Sequence, residues 1–187
     1  MSKRKKVAGL FGMCGVLLLL WCLSAGADNA AISGIRIDQR PLPAQKTLTA
    51  DGQMQIGDQD RCPVCAMFPA KRPQTAAAMV LSDGRTFYFC GNGCLLRAWH
   101  ASSVYLNAPQ EKIARLVTRD FFSGQSIDAR KAWWVAGSDV VGPMGPALVA
   151  LPSEAEVERF KAQHGGKLVF QLAQMTPELW SQIFGDR

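Results

Sequence analysis

Apolar positions along the chain become regular after residue 61, and their spacing predicts a first group of three strands and one helix. The stretch TAAAMVLS (75–82) is strand-like, Asp83-Gly84 is a hairpin-turn signal, and the aromatic run RTFYF (85–89) predicts the returning strand. A helix with Asn92 as its N-cap follows, and the β-branched and aromatic stretch 111–122 predicts a third strand. The apolar positions at roughly helical spacing are Leu95, Leu96, Trp99 and Val104.

The second half of the chain repeats this order of elements. Residues 131–138, 147–151 and 167–172 predict three strands. A helix lies between the last two strands, and Ser153 and Glu156 form a capping box at its start. The chain is therefore predicted to be an α+β protein built from two tandem ββαβ units, which share a pattern without residue-level identity.

The segments before and after these units are predicted to be simpler. Thr176 as N-cap and Pro177 at the first helical position predict a short amphipathic C-terminal helix. Residues 28–60 show no sustained period, so they are predicted to be a tether and an extended lead-in, with at most a short strand at Thr47–Thr49. The main domain is predicted to span residues 61–187.

The N-terminal residues predict export. Residues 3–6 are basic, and an uncharged apolar run then continues to the small residues Ala25-Gly26-Ala27. This arrangement is typical of an export signal, so residues 1–27 are predicted to be a signal peptide that is cleaved after Ala27. An uncleaved N-terminal membrane anchor is the alternative, because the apolar run is about as long as a spanning helix requires.

The net charge looks different once this segment is set aside. The whole chain has 21 Lys and Arg against 15 Asp and Glu, which gives a formal net charge of +6. Residues 1–27 hold four of the basic residues and none of the acidic ones, so 17 basic and 15 acidic residues remain. A domain so close to neutrality lacks the electrostatic footprint of a nucleic-acid-binding protein, and nucleic acid is excluded as a partner.

Four cysteines follow the export signal, and all of them fall within one short region. Cys62 and Cys65 have C-x-x-C spacing before the first strand, whereas Cys90 and Cys94 lie where the second strand gives way to the helix. In an antiparallel hairpin the start of one strand lies beside the end of the next, so the two pairs are predicted to approach one another. Disulfides are one interpretation of an exported cluster, and a site for a soft metal ion is another.

Two methionines bear on the choice of metal. Thiolate and thioether ligands favour Cu(I), Zn or Fe–S centres, and Met67 favours Cu(I), because methionine sulfur binds Cu(I) well and Zn poorly. Met144, in the Gly- and Pro-rich loop VVGPMGP, is a second candidate ligand, with a buried loop anchor as the alternative. The predicted metal ligands are Cys62, Cys65, Met67, Cys90, Cys94 and Met144.

Several motifs together resemble the NosL family of exported copper-binding accessory proteins, which take part in the maturation of nitrous-oxide reductase. These motifs are CPVCAMFPAKRPQTAAAMVLSDGRTFYF, DFFSGQSIDARKAWWVAGSDVVGPMGP and EVERFKAQHGGKLVFQL. The resemblance covers about residues 61–172, and GRTFYFCGNGCLLRAW is also similar to small TRASH/YHS metal-binding modules. It implies paired ββαβ units, a periplasmic location, Cu(I) binding, a copper donor or transporter, and delivery to a copper enzyme such as nitrous-oxide reductase.

The chain departs from the family pattern at three points. Ala66 stands where the family usually has Gly, and Pro146 stands where it often has His. The N-terminal segment also lacks the lipobox that is common in the family. If that His binds copper in relatives, Cys90 and Cys94 supply the missing donors here, and the identity of the client enzyme stays open.

The sequence leaves three functions to be separated. The leading interpretation is a non-enzymatic periplasmic Cu(I) chaperone. A thiol–disulfide oxidoreductase is the second, although no helix pattern begins after Cys62 and Cys65, as a thioredoxin-like motif requires. The third is an interaction module stabilised by zinc or by disulfides.

Overall fold

The computed structural model describes residues 41–185, and these contain strands and helices in the order β-β-α-α-β-β in the first half and β-β-β-β-α-β-α in the second. Short 3-10 turns lie at Pro69–Lys71, Gln110–Lys112 and Leu172–Gln174. The strands are β1 (Ala77–Leu81), β2 (Thr86–Phe89), β3 (Ile113–Arg119), β4 (Ser126–Asp128), β5 (Trp133–Ser138), β6 (Val141–Gly142), β7 (Gly145–Pro146), β8 (Val149–Leu151) and β9 (Gly165–Phe170). The helices are α1 (Asn92–His100), α2 (Ser102–Leu106), α3 (Glu154–His164) and α4 (Pro177–Phe184).

Both halves of the fold use the same antiparallel arrangement. The first sheet has the strand order β2-β1-β3-β4, and the second has the order β8-β5-β9. Strand β1 lies between β2 and β3, and β5 lies between β8 and β9, whereas β6 and β7 form a separate hairpin. Helices α1 and α2 join β2 to β3, and helix α3 joins β8 to β9. The predicted α+β class is confirmed.

Several element boundaries differ from the sequence prediction. The helix after Cys90 ends at His100 and resumes as α2, because Ala101 leaves helical geometry (φ −122°, ψ 52°). The N-cap of α1 is Gly91, and the prediction of Asn92 was wrong, because the Asn92 side chain is used in a tertiary contact. Residues 47–49 form no strand, and strand β4 and hairpin β6–β7 were not predicted.

The first sheet is buried on both faces. On one face Met79, Phe87 and Phe89 pack against the helices, and on the other Ala78 and Tyr88 pack against the lead-in around Leu48. The Tyr88 hydroxyl donates to the Lys46 carbonyl at 3.2 Å and accepts from the Gln55 amide at 3.0 Å. Burial raises the pKa of Tyr88. The lead-in between residues 44 and 56 is thus held against the sheet by specific contacts.

The two ββαβ units share one apolar core. Trp134 and Phe170 of the second sheet are fully buried in the same cluster as Phe89 and Leu95 of the first unit. The Trp134 indole is also satisfied, because its Nε1 donates to the Ala129 carbonyl at 3.1 Å. The opposite face of the second sheet is covered by α3, which contributes Val157 and Phe160 to a separate cluster. The second sheet therefore lies between its own helix and the core of the first unit.

The two later helices begin at the predicted N-caps, but the reciprocal half of the predicted capping box is not formed, because the Glu156 carboxylate accepts from Arg159 Nη1 at 3.2 Å. The Ser153 hydroxyl accepts a hydrogen bond from the Glu156 amide at 3.3 Å, which starts α3, and Gly165 ends it with φ +68°. The Thr176 hydroxyl accepts from the Leu179 amide at 3.2 Å at the start of α4. Helix α4 then packs on α1, where the rings of Trp180 and His100 stack at 4.1 Å.

Part of the sequence prediction lies outside the described residues. The signal peptide at 1–27 and the first part of the tether at 28–40 fall in this category. Among the residues from 41 to 185, no helix has the length and apolar character needed to cross a bilayer.

Candidate metal centre

The C-x-x-C motif forms a tight turn that directs both cysteines to the same side. The Cys62 amide donates to the Met67 carbonyl at 2.9 Å, and the Ala66 amide donates to the Cys62 carbonyl at 2.8 Å. Closing this turn requires a left-handed residue, and Ala66 has φ +60°. Gly adopts this conformation without strain, which gives a physical reason for Gly at this place in the family pattern.

The second cysteine pair is positioned by the junction between β2 and α1. Cys90 follows the last residue of β2, and the Thr75 hydroxyl donates to its carbonyl at 2.8 Å. Cys94 lies in the first turn of α1, where its amide donates to the Gly91 carbonyl at 3.1 Å. The strand end and the helix start therefore present two thiols to the turn that holds Cys62 and Cys65.

The four sulfurs form one cluster. All four Sγ atoms lie within 4.8 Å of one another, and none of the four cysteines is in a disulfide. Sγ–Sγ distances are 3.3 Å for Cys65–Cys90, 3.7 Å for Cys90–Cys94 and 3.8 Å for Cys65–Cys94. A tetrahedral metal ion with metal–sulfur bonds of about 2.3 Å holds its sulfurs about 3.8 Å apart. Two of the three distances match this spacing and the Cys65–Cys90 distance is shorter, so the cluster has the size of a site for one ion bound by thiolates.

The cluster is buried and asymmetric in its ionisation. Hydrogen bonds to its sulfur from Cys90 and Cys94 lower the pKa of Cys62 to about 2, against the opposing effect of burial. The same bond to the Cys62 sulfur raises the pKa of Cys90, and the bonds to Cys62 and Cys90 raise the pKa of Cys94. The Cys62 thiolate is thus stabilised by hydrogen bonds from neighbouring thiols. A soft cation that binds to the cluster would displace the protons of those thiols.

The two predicted methionine ligands occupy different environments. Met67 is partly buried and packs against the core cluster that contains Cys62, Cys90 and Cys94. Met144 lies between β6 and β7 with 57% of its surface exposed, so it is not a buried loop anchor. Both remain candidate ligands.

A cavity of about 450 Å³ adjoins the cluster on the side of Cys94. Its wall is formed by the start of α1, the β6–β7 hairpin and the end of α4. Met144 and Cys94 both line it, which brings the exposed methionine and the cluster to one space. The hairpin lies close to the helix start, since a methyl group at Gly91 would be 3.4 Å from Pro143 Cδ.

Sequence reasoning did not identify the charged residues of this cavity. Arg97 and Arg119 both line it, and they come from α1 and β3. A basic residue on a helix or strand is common, so only the tertiary arrangement distinguishes these two. His100, at the end of α1, stacks on Trp180. Within residues 41–185, the metal-ligating cluster of His, Cys, Asp and Glu side chains consists of the four cysteines alone.

Comparison with known sequences identifies the family of the chain. The sequence model described as NosL matches residues 53–180, which is more than half of the chain. The chain belongs to the NosL family. The resemblance seen in the sequence is therefore confirmed.

Two NosL relatives can be compared in detail. A copper-binding lipoprotein NosL of Stutzerimonas stutzeri is 28% identical over 115 residues, which cover 60% of this chain. The chain spans 60% of that relative's length. The crystal structure of a copper chaperone NosL from Shewanella denitrificans superposes with a TM-score of 0.55 at 19% identity. It covers 70% of this chain and 99% of its own, and at this identity it shows that the fold is shared.

Proposed function

We propose that this NosL protein is a periplasmic copper chaperone that binds one Cu(I) ion in the four-cysteine cluster. The observation that carries the proposal is the set of four free sulfurs within 4.8 Å of one another. Thiolates are soft ligands that select soft metal ions over Mg²⁺ or Ca²⁺. The names of the two relatives, a copper-binding lipoprotein and a copper chaperone, favour copper among the soft metals.

Delivery follows from the way that the ligands are arranged. Cu(I) accepts low coordination numbers, so a ligand from another protein can replace one sulfur at a time. Met67 and Met144 are weaker, exchangeable donors that would hold the ion while a cysteine departs. The client in this proposal is a periplasmic copper enzyme such as nitrous-oxide reductase, and a copper donor or transporter loads the cluster.

Zinc is the second candidate metal, because the sulfur spacing also fits a structural zinc site. In that case the protein would be an interaction module whose cysteines stabilise the β1–β2 hairpin. The two functions differ in how readily the metal ion exchanges with other ligands. A closed structural zinc site keeps its ion, whereas a chaperone releases it.

A competition titration tests the proposal. Reduced protein is titrated with Cu(I) against a Cu(I) chelator, then with Zn(II) against a zinc chelator, and metal content is measured after each. We expect one Cu(I) per chain, preference for Cu(I) over Zn(II), and transfer of the ion to a second chelator. Loss of Cu(I) binding in Cys62→Ser, with binding retained in the matched Ala98→Ser variant of the same core, would support the cluster. Retention of Zn(II) in the presence of Cu(I) would contradict it.

A further inference from the structure

We propose that the cavity beside Cys94 binds a sulfur ligand that also carries a carboxylate, and that Cu(I) leaves the cluster through this cavity. The inference rests on the proposed copper-binding function and adds the chemical class of the ligand that receives the metal. Cys94 lines the cavity, and the other three cysteines do not. A ligand in this space therefore meets the cluster at Cys94.

The only charged side chains among the described residues that line the cavity are basic. Arg97 and Arg119 contribute two guanidinium groups, and no Asp or Glu is among the lining residues. The start of α1 adds the positive end of a helix dipole at Gly91 and Asn92. These groups together favour an anion, and guanidinium groups match the geometry of a carboxylate.

Both guanidinium groups have capacity left for such a ligand. Arg119 donates from Nη1 to the Gly124 carbonyl at 2.9 Å, but its Nε is buried without a hydrogen-bond partner among residues 41–185. The Arg97 guanidinium lies over the Phe184 ring at 4.4 Å. Within the same residues, neither arginine has a carboxylate oxygen within 4.0 Å. Because no carboxylate of the described residues pairs with either guanidinium group, both are free to pair with an anionic ligand in the cavity.

The remaining walls suit the soft part of the ligand. Ile183 and Phe184 of α4 provide an apolar surface, and Met144 lies at the rim with its thioether accessible. Val141, on the same hairpin, is 77% exposed. A ligand whose carboxylate pairs with the arginines can thus place its sulfur among apolar groups near Cys94.

The exchange step balances without a redox partner. The entering thiol passes its proton to the Cys94 thiolate, the copper–sulfur bond to Cys94 breaks, and a copper–sulfur bond to the entering sulfur forms. Copper stays Cu(I) throughout, and the total charge is unchanged. Such a ligand is either a small anionic thiol or a cysteine beside an acidic residue in a partner protein, and the chemistry is common to both.

Alkylation of the metal-free protein tests the cavity without relying on copper. Reduced full-length protein is treated with anionic iodoacetate or neutral iodoacetamide, and the rate at each cysteine is measured by peptide mass spectrometry. We expect the iodoacetate-to-iodoacetamide ratio at Cys94 to exceed that of free cysteine by about two- to fivefold, the range of a modest ion pair. The ratio cancels differences in thiolate fraction, because both reagents need the same thiolate.

Charge variants provide the controls. Arg119→Gln and Arg97→Gln should bring the ratio to the value for free cysteine, and Arg97→Lys should keep most of the effect. Arg115→Gln removes a charge from the exposed face of the same strand as Arg119 and should change nothing. A ratio equal to that of free cysteine in the wild-type protein, or an equal fall in Arg115→Gln, would overturn the proposal.

A second arm uses the Cu(I)-loaded protein. Mercaptoacetate should remove copper faster than 2-mercaptoethanol at equal thiolate concentration, and Arg119→Gln should abolish the difference. A hexapeptide containing Glu-Cys tests the protein source of the ligand: Val141→Ser should slow the peptide and leave mercaptoacetate unaffected if a partner segment crosses the rim. Equal rates for the charged and neutral thiols would overturn the proposal. Failure to load copper would contradict the proposed function, whereas the alkylation result would still report on the cavity.

Discussion

Cys65 Sγ lies 3.3 Å from Cys90 Sγ, although 25 positions separate the two residues in the chain. The contact joins the C-x-x-C turn to the end of β2, because the β1–β2 hairpin places the end of β2 beside the start of β1. The sulfur cluster is therefore a product of the hairpin, and its geometry depends on the first sheet being formed.

Each cysteine of the cluster is expected to contribute to metal affinity. Loss of a group that only supports a metal ligand typically costs 10- to 100-fold in affinity, so loss of a ligand itself should cost more than about 100-fold. Single Ser variants of Cys90 and Cys94 should show this loss in a Cu(I) competition titration. The Ala98→Ser variant introduces a hydroxyl into the same buried helix and should keep wild-type affinity. Equal losses in all variants would indicate a general folding defect.

Met67 distinguishes copper from zinc. Met67→Leu conserves volume but removes the thioether, so we expect Cu(I) affinity to fall by about tenfold and Zn(II) affinity to stay unchanged. Met144→Leu should slow copper transfer in the same manner. Met79→Leu is the control, because Met79 is fully buried within β1. If Met67→Leu and Met79→Leu have the same effect on Cu(I), Met67 is a packing residue.

Metal binding should release protons at neutral pH. The pKa values of Cys90 and Cys94 are raised, so both thiols stay protonated in the metal-free protein, whereas the pKa of Cys62 is lowered to about 2 and this residue is already a thiolate. Each displaced proton makes the apparent affinity rise tenfold per pH unit, so the two protons of Cys90 and Cys94 give at least about 100-fold per unit. Competition titrations between about pH 6 and pH 8 measure the slope. An affinity independent of pH would contradict this ionisation pattern.

Ala66→Gly is expected to stabilise the protein. Ala66 has φ +60°, where an L-residue with a Cβ is strained by roughly 1 kcal/mol and Gly is not. The free energy of unfolding should therefore increase by about 0.5–1 kcal/mol in a denaturant titration. Ala70→Gly, in the nearby 3-10 turn, lacks this strain and should be neutral or destabilising. A lower stability for Ala66→Gly would show that the flexibility of Gly outweighs the strain.

Asn92 joins the two units, and its removal should destabilise both. Its amide donates to the Leu148 carbonyl at 2.8 Å, and its carbonyl oxygen accepts from the Thr118 hydroxyl at 2.6 Å. Asn92→Ala leaves two part-buried polar groups without these partners, at a cost of about 1–3 kcal/mol each. Chemical denaturation measures the loss. The Thr118→Val variant and the double variant complete a cycle, and strictly additive losses would show that the two side chains do not interact.

The sequence predicted the cysteine cluster because the information is local. A hairpin turn at Asp83-Gly84 fixes which residues face one another, so the approach of Cys62 and Cys65 to Cys90 and Cys94 follows from strand pairing alone. The α+β class was predictable for the same reason, because each unit has its own periodic strands and a helix with apolar positions at helical spacing. The helix signals at Ser153 and Thr176 are equally local and were correct.

Features that depend on distant segments were missed. Asn92 was assigned as an N-cap by its residue type, but its side chain contacts β3 and residue 148, which no local pattern encodes. Strand β4 is only three residues long, and it forms because its backbone pairs with the free edge of β3. The cavity needs the start of α1, the β6–β7 hairpin and α4 together, so neither Arg97 nor Arg119 could be recognised beforehand.

The shared core around Trp134 has a consequence for dissection of the protein. Trp134 and Phe170 of the second unit lie in one apolar cluster with Phe89 and Leu95 of the first, so a fragment holding either unit alone would expose a large apolar surface. Limited proteolysis should consequently leave no stable half, and thermal unfolding should show a single transition. Although the two ββαβ units share a topology, only the two together form a module that can evolve or be transplanted independently.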